Sequence, residues 1–218
     1  QALWGAGLVP LAETVHRTGD RAAATRLREA ILALSLPDDL VGAWVAAARP
    51  LGTHVAVRSS GVDEDGAARS FAGQHVTRLG VAPEAVADAV KQCWASLYAE
   101  SALVYRGMSG PPSGPAPGAL AVVIQQLVHA EVSGVLFTIN PTTGSWRQMV
   151  VEAVWGLGEA LVSGHTAPHW FLVRRPRDLP RAVARVAERV RLQVVDQDLP
   201  ALPERLVARP DGQGVHTE

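Results

Sequence analysis

The chain has 218 residues, 48% of them hydrophobic, and a formal net charge of −1, enough apolar material for a sizeable core and no charge excess that would favour nucleic acid or an anionic membrane. Its lone Cys93 excludes an internal disulfide, so the fold does not depend on an oxidising compartment. No uninterrupted apolar run approaches the roughly 20 residues of a membrane helix, and Gln1-Ala2-Leu3-Trp4 lacks the basic and apolar regions of a secretory signal. The expectation is a cytoplasmic protein with neither nucleic acid nor membrane as partner, and the missing initial Met points to a processed chain or a fragment.

In chain order, Asp20 to Leu34 reads as a helix with Ala23, Leu27, Ile31 and Leu34 on one stripe and Asp20 as N-cap. Pro37-Asp38-Asp39 opens a second helix, with Leu40, Val41, Trp44 and Val45 expected to face inward. His54 to Arg58 alternates as a short strand. Ser59 to Gly73 is small, polar and acidic, the composition of a loop. A strand over Val76 to Leu79 and a helix over Pro83 to Leu97 follow, the helix with its stripe at Val86, Val90, Cys93 and Leu97. Gly107 to Gly118 is too rich in Gly, Pro and Ser for a regular element. Beyond it, strands are predicted at Leu120 to Val128, Gly134 to Ile139, Gln148 to Val154 and Trp170 to Val173. Arg181 to Arg191 fits a helix by composition and a strand by its valine alternation. Helices and strands are segregated, which favours an α+β fold. The division expected is a first lobe over 1–106, a linker or surface loop over 107–118, and a strand-rich second lobe over 119–218, C-terminally incomplete.

Three segments carry more polar chemistry than a core requires. Val55-Ala56-Val57-Arg58-Ser59-Ser60 ends a strand in a guanidinium and two hydroxyls. That end suits bidentate capture of a phosphate, and suits equally a surface arginine capping a sheet edge. The loop Gly61 to Gly73, continuing to Thr77, has small residues whose backbone N–H groups can approach phosphate oxygens. It is not a Walker A loop, since it holds no Gly-Lys-Ser/Thr and the chain's one lysine is Lys91 in a helix. In the third segment, Gln125-Gln126-Leu127-Val128 closes a strand and Glu152 lies within Met149 to Val154. A strand end can offer backbone groups to an adenine edge. A carboxylate between Val150 and Val154 needs a donor, a metal, water or an arginine partner. His165 and His169 are four apart, but Pro168 disfavours the helix that would aim both at a metal. Cys93 reads as a buried small hydrophobe.

The strings themselves reach further. Val55 to Ser60, Glu64-Asp65 and Ser70-Phe71-Ala72-Gly73-Gln74-His75 resemble the signature of the N-terminal ATP-binding domain of the phosphoenolpyruvate synthase and pyruvate phosphate dikinase family. So do Cys93 to Tyr98 with Tyr105-Arg106, Ser133 to Pro141, and Glu152 to Gly164. Rifamycin phosphotransferases share this domain. The resemblance implies an ATP-grasp-like fold of two lobes with nucleotide between them. It implies Arg58 as the catalytic phosphate contact with Ser59 and Ser60 beside it, Gly73 and Thr77 lining the phosphate loop, Gln126, Leu127 and Val128 holding adenine, and Glu152 with the Gly156-to-Gly164 turn supporting the site. ATP and Mg²⁺ are the implied cofactors. The implied reaction cleaves ATP to AMP and phosphate. A histidine on a swivelling domain carries the phosphoryl group to pyruvate, or to a rifamycin-type antibiotic, on an acceptor-binding domain of the same or another chain.

The chain departs from the family pattern in several places. The phosphate-binding lysine of a Gly-Gly-Lys motif and the metal-binding acids of an Asp-x-Glu-Trp-like strand are not in this sequence, and Pro168-His169 stands where the family has Pro-Asp. The expectation is a segment that does not complete the reaction alone. The alternative, from another class, is a truncated module that binds nucleotide or a partner without catalysis.

Overall fold

The computed structural model describes residues 7–61, 76–107, 120–164, 166–175, 193–202 and 204–218. Helices and antiparallel sheets are both present, and the architecture is α+β. Two compact units emerge, one formed by Gln1–Leu127 with Ala208–Val215 and the other by Val128–Val207 with His216–Glu218.

The first unit opens with α1 (Val9–Thr18), which ends at Gly19, whose left-handed backbone (φ 65°) returns an N–H to the Val15 carbonyl. Asp20 then caps α2 (Arg21–Leu32) as its sequence predicts, Oδ1 accepting from the Ala22 and Ala23 N–H groups at 2.8 and 3.2 Å. The stripe Ala23, Leu27 and Ile31 is fully buried and packs with Val15, Ala95, Leu97 and Tyr98. In α3 (Asp38–Ala48) the first turn holds Asp38 and Asp39 against the helix dipole. Leu40, expected inward, is instead exposed. Helical spacing brings Val41, Trp44, Val45 and Ala48 to one stripe and leaves Leu40 at its margin; Ala48 is the buried member, and Trp44 meets Trp94 edge-on at 6.1 Å.

β1 (Val55–Gly61) runs three residues further than expected, so Ser59 and Ser60 belong to the sheet ladder and not to a loop. It is the central strand of a three-stranded antiparallel sheet in the order β2-β1-β3, flanked by β2 (Thr77–Val81) and β3 (Leu120–Gln126). A single 3₁₀ turn (Pro83–Ala85) leads into α4 (Val86–Ser96), whose stripe Val86, Val90 and Cys93 seals one face of the sheet against Val55, Val57 and Val81, with Val122 and Ile124 beside them. α5 (Glu100–Gly107) was not anticipated and extends to the start of the predicted Gly/Pro-rich loop. That loop's other residues and most of Gly61 to Gly73 lie outside the described residues.

The second unit is built on a four-stranded antiparallel sheet of β4 (Val132–Phe137), β5 (Gln148–Trp155), β6 (His169–Arg174) and β7 (Gln193–Asp198), in that spatial order. The β4–β5 connection is organised by buried Asn140, which accepts from the Thr142 and Thr143 N–H groups and donates to Gln148 Oε1 at 3.0 Å. A short helix α6 (Glu159–Val162) follows β5, and β8 (Leu206–Ala208) pairs with β9 (Val215–Thr217). The ambiguous segment Arg181 to Arg191 lies outside the described residues. One boundary differs from the expected one. Leu120 to Leu127, assigned by sequence to the second lobe, belongs to the first unit, because β3 pairs with β1 along seven consecutive positions.

Cys93 is fully buried, with Sγ 3.4 Å from the Val76 carbonyl and 3.8 Å from that of Val57. Burial pushes its thiol up from 9.0 to about 11, against the opposing field of Arg78. The folded chain therefore holds a proton that the unfolded chain loses first, so the stabilisation is complete below pH 9 and is lost as the pH rises through 11. Denaturant melts from pH 8 to 11 should show a decline that is shallower in Cys93→Ala, and a thiol reagent at pH 8 should label only the unfolded chain. Leu27→Ala, which empties the centre of the helical core, should cost about 2–5 kcal/mol in a urea melt.

Candidate functional site

The alternation of β1 divides its side chains between two environments. Val55, Val57 and Ser59 turn toward α4 and are buried, Ser59 at 4% exposure. Ala56, Arg58 and Ser60 turn the other way. The ladder puts Thr77 of β2 and Val123 of β3 directly across from Arg58, Ala121 across from Ser60, and Gln125 across from Ala56. Arg58, Thr77, Ala121, Val123 and Gln125 are exposed. The result is a sheet face with one guanidinium at its centre, a hydroxyl on one side and aliphatic side chains on the other. Directly opposed Cβ atoms in such a ladder lie about 4.5–5.5 Å apart, so Arg58 and Thr77 can reach one oxyanion together. Among the described residues Arg58 is in no ion pair.

Of the residues singled out by sequence, Arg58, Ser60 and Thr77 therefore share one face. Ser59 does not; its side chain is buried on the opposite face, and its backbone lies in the ladder with Val122. Gly73 lies outside the described residues. Gln126 ends β3 opposite Val55 and is exposed, Leu127 is buried, and Val128 is 73% exposed in the next unit. Ala121, Val123 and Gln125 gain their place beside Arg58 only from the β1–β3 register. Their signal in the sequence is the two-residue period of Leu120 to Gln126, which cannot be used until the partner strand is known.

Glu152 sits in the middle of β5, between Val135 of β4 and Trp170 of β6, with Val150 and Val154 on its own face. Both valines are buried at 3%, while Glu152 keeps partial exposure. The arginine partner anticipated for it is not found among the described residues. The backbone around it is held tightly. A Cβ at Gly134 would come within 2.6 Å of the Glu152 carbonyl, so β4 approaches only because Gly134 has no side chain. The turn after β5 is tied by three hydrogen bonds: Gly156 N–H to the Glu131 carbonyl at 2.8 Å, Leu157 N–H to the Leu206 carbonyl at 2.8 Å, and Ser133 Oγ to the Gly156 carbonyl at 2.7 Å.

His165 lies outside the described residues. His169 is occupied by Trp155, edge-on at 6.3 Å, and by the Pro200 carbonyl, 3.1 Å from Nε2. No group of three or more His, Cys, Asp or Glu side chains able to hold a metal ion occurs among the described residues. No helix among them is long and apolar enough to cross a membrane.

The sequence family described as "Pyruvate phosphate dikinase, AMP/ATP-binding domain" matches residues 14–208, and the chain belongs to it. Within that family the chain is 40% identical over 167 residues to a rifampicin phosphotransferase of Streptomyces sviceus, covering 75% of this chain and 19% of that protein. It is 39% identical over 185 residues to the phosphoenolpyruvate synthase of Aeropyrum pernix, covering 81% and 22%. A prodigiosin-synthesizing transferase of Serratia marcescens is 40% identical over 157 residues, covering 71% and 17%. The chain thus spans about a fifth of the length of the curated relatives it matches.

Proposed function

We propose that the chain is the ATP-binding part of a dikinase-type phosphotransferase, with the Arg58-bearing face of the β2-β1-β3 sheet as its phosphate subsite. The observation that carries the reading is the direct opposition of Arg58 and Thr77 on that face, in a chain whose family is an AMP/ATP-binding domain. Phosphoryl transfer requires little covalent help from protein and much positioning and charge neutralisation, which a fixed guanidinium flanked by a hydroxyl and backbone amides provides. Arg58 would hold phosphate oxygens through two N–H groups, with Ser60 and Thr77 donating beside it and Ser59 taking part through its backbone. Gly73 is kept as a member of the phosphate loop that leads into β2. Gln126, Leu127 and Val128 would hold the adenine, and Glu152 with the tied Gly156 turn would support the site in the ATP-grasp-like, two-lobe arrangement that the resemblance implies.

The reaction proposed for the whole protein is cleavage of ATP to AMP and phosphate, with a phosphoryl group carried by a histidine on another domain to a small-molecule acceptor. The relatives bear names as different as rifampicin phosphotransferase and phosphoenolpyruvate synthase while sharing this domain, which supports a common ATP-handling step and an acceptor chosen by residues elsewhere. Magnesium is implied with ATP, but the described carboxylates do not gather into a site for it.

Calorimetric titration with ATP and Mg²⁺, with AMP followed in the same mixture, tests the reading. Saturable binding is expected, and no binding at millimolar ATP would overturn it. Arg58→Ala should weaken ATP binding by at least about tenfold, or about 1.4 kcal/mol, with an unchanged thermal melt. Unchanged affinity in that variant would remove Arg58 from the phosphate subsite.

A further inference from the structure

β2 is an edge strand, and its pairing with β1 is irregular. Val57 faces Arg78 but Val55 faces Val81, so three steps on β2 span two on β1. The extra residue makes a bulge, and Gly80 within it has φ +66°, a conformation that side chains disfavour. A segment from more than a hundred residues further along the chain closes this bulge. Gly214 N–H donates to the Gly80 carbonyl at 3.0 Å, Ala82 N–H donates to the Gly212 carbonyl at 3.0 Å, and Val81 bridges antiparallel to Gln213. The fit leaves no room for side chains. A Cβ at Gly80 would overlap the Gly214 carbonyl, and a Cβ at Gly212 would stand 2.5 Å from that of Ala82. Residues 208–215 belong to the first unit for this reason.

Thr77 is three residues upstream of Gly80 on the same five-residue strand, and among the described residues only β1 pairs with it there. A bulged ladder fixes the register of an edge strand less firmly than a continuous one, since the extra residue can be taken up at more than one place. We propose that Ala208–Val215 is a positioning segment for the phosphate subsite: by filling the Gly80 bulge it sets the register of β2, and so holds Thr77 across from Arg58. The inference rests on the ATP-binding reading above. Gly80, Gly212 and Gly214 act through β2 and touch no phosphate themselves. The sequence offered only three glycines in two distant, unrelated-looking segments.

The test compares ATP with adenosine, since an adenine subsite at Gln126 to Val128 does not involve β2. Gly80→Ala and Gly212→Ala would each displace the tail from opposite sides of the bulge. Gly19→Ala, at a helix end with a similar φ of +65° and open space around it, controls for backbone strain. Hydrogen exchange over residues 77–82 reports release of the tail, and a thermal melt reports the folded state of each variant. Both tail variants should lose about tenfold or more in ATP affinity while adenosine affinity and the Gly19→Ala control stay within about twofold. Retained ATP affinity in either folded tail variant with exposed 77–82 amides would overturn the proposal. Parallel loss of ATP and adenosine would overturn it too, as general destabilisation. Failure of the unaltered chain to bind ATP would instead defeat the reading on which the proposal rests.

Discussion

Much of the first unit follows from packing the inner face of β1 onto α4. Val55, Val57 and Cys93 reach 0% exposure there, and burial of such side chains supplies about 1.5–3 kcal/mol each relative to exposure. A strand has only two faces, so fixing one fixes the other. Once the valines and Ser59 are committed to α4, Ala56, Arg58 and Ser60 must point away, and the β2 and β3 registers bring Thr77 and Val123 to the same level. Arg58 is thus an indirect product of core packing. A one-residue slip of β1 would send the guanidinium into the core and Val57 out of it, at a cost the fold could not absorb.

The two units use glycine for the same purpose at points far apart. Gly134 lets β4 approach the Glu152 carbonyl, and Gly156, at φ +74°, lets the turn after β5 lie against Leu206. Gly80 and Gly212 do the same for the returning tail. In each place backbone meets backbone with no side chain between, and the hydrogen bonds that result connect segments remote in sequence. Such contacts add little apolar area. Their value is positional, because they set strand ends and turns where polar side chains must be presented at fixed spacing.

The sequence was most legible where a local period met a clear cap. Asp20 and the Ala23, Leu27, Ile31 stripe define their helix, which stops at Leu32 before the expected Leu34; Val86, Val90 and Cys93 define α4, which starts after a 3₁₀ turn at Pro83 and ends at Ser96 before the expected Leu97. The interiors of β1 to β6 are legible but their ends are not, and β7 to β9 are not foreseen at all; β1 continues through Ser59 and Ser60 because Val122 and Ala121 pair with them, a fact held in another segment. Leu120 to Val128 reads as a strand, but nothing local reveals that its partner lies some sixty residues earlier. At the site, Arg58 stood out by its chemistry. The aliphatic residues that share its face did not, and neither did the core orientation of Ser59, which resembles Ser60 in everything but parity.

The tail that returns to β2 interleaves the two units along the chain: residues 128–207 separate the two pieces of the first, and His216–Glu218 return to the second. During synthesis the chain delivers residues 7–127, then the whole of 128–207, and only afterwards the eight residues that complete the earlier unit. Domains that emerge first ordinarily fold first. Here the order is partly reversed: the four-stranded sheet can close on itself while the edge of the earlier sheet still waits for its last support. A nascent chain paused before residue 208 would thus carry a complete four-stranded sheet and an unfinished earlier unit, with the β2 edge open to the pairing errors to which unprotected strands are prone.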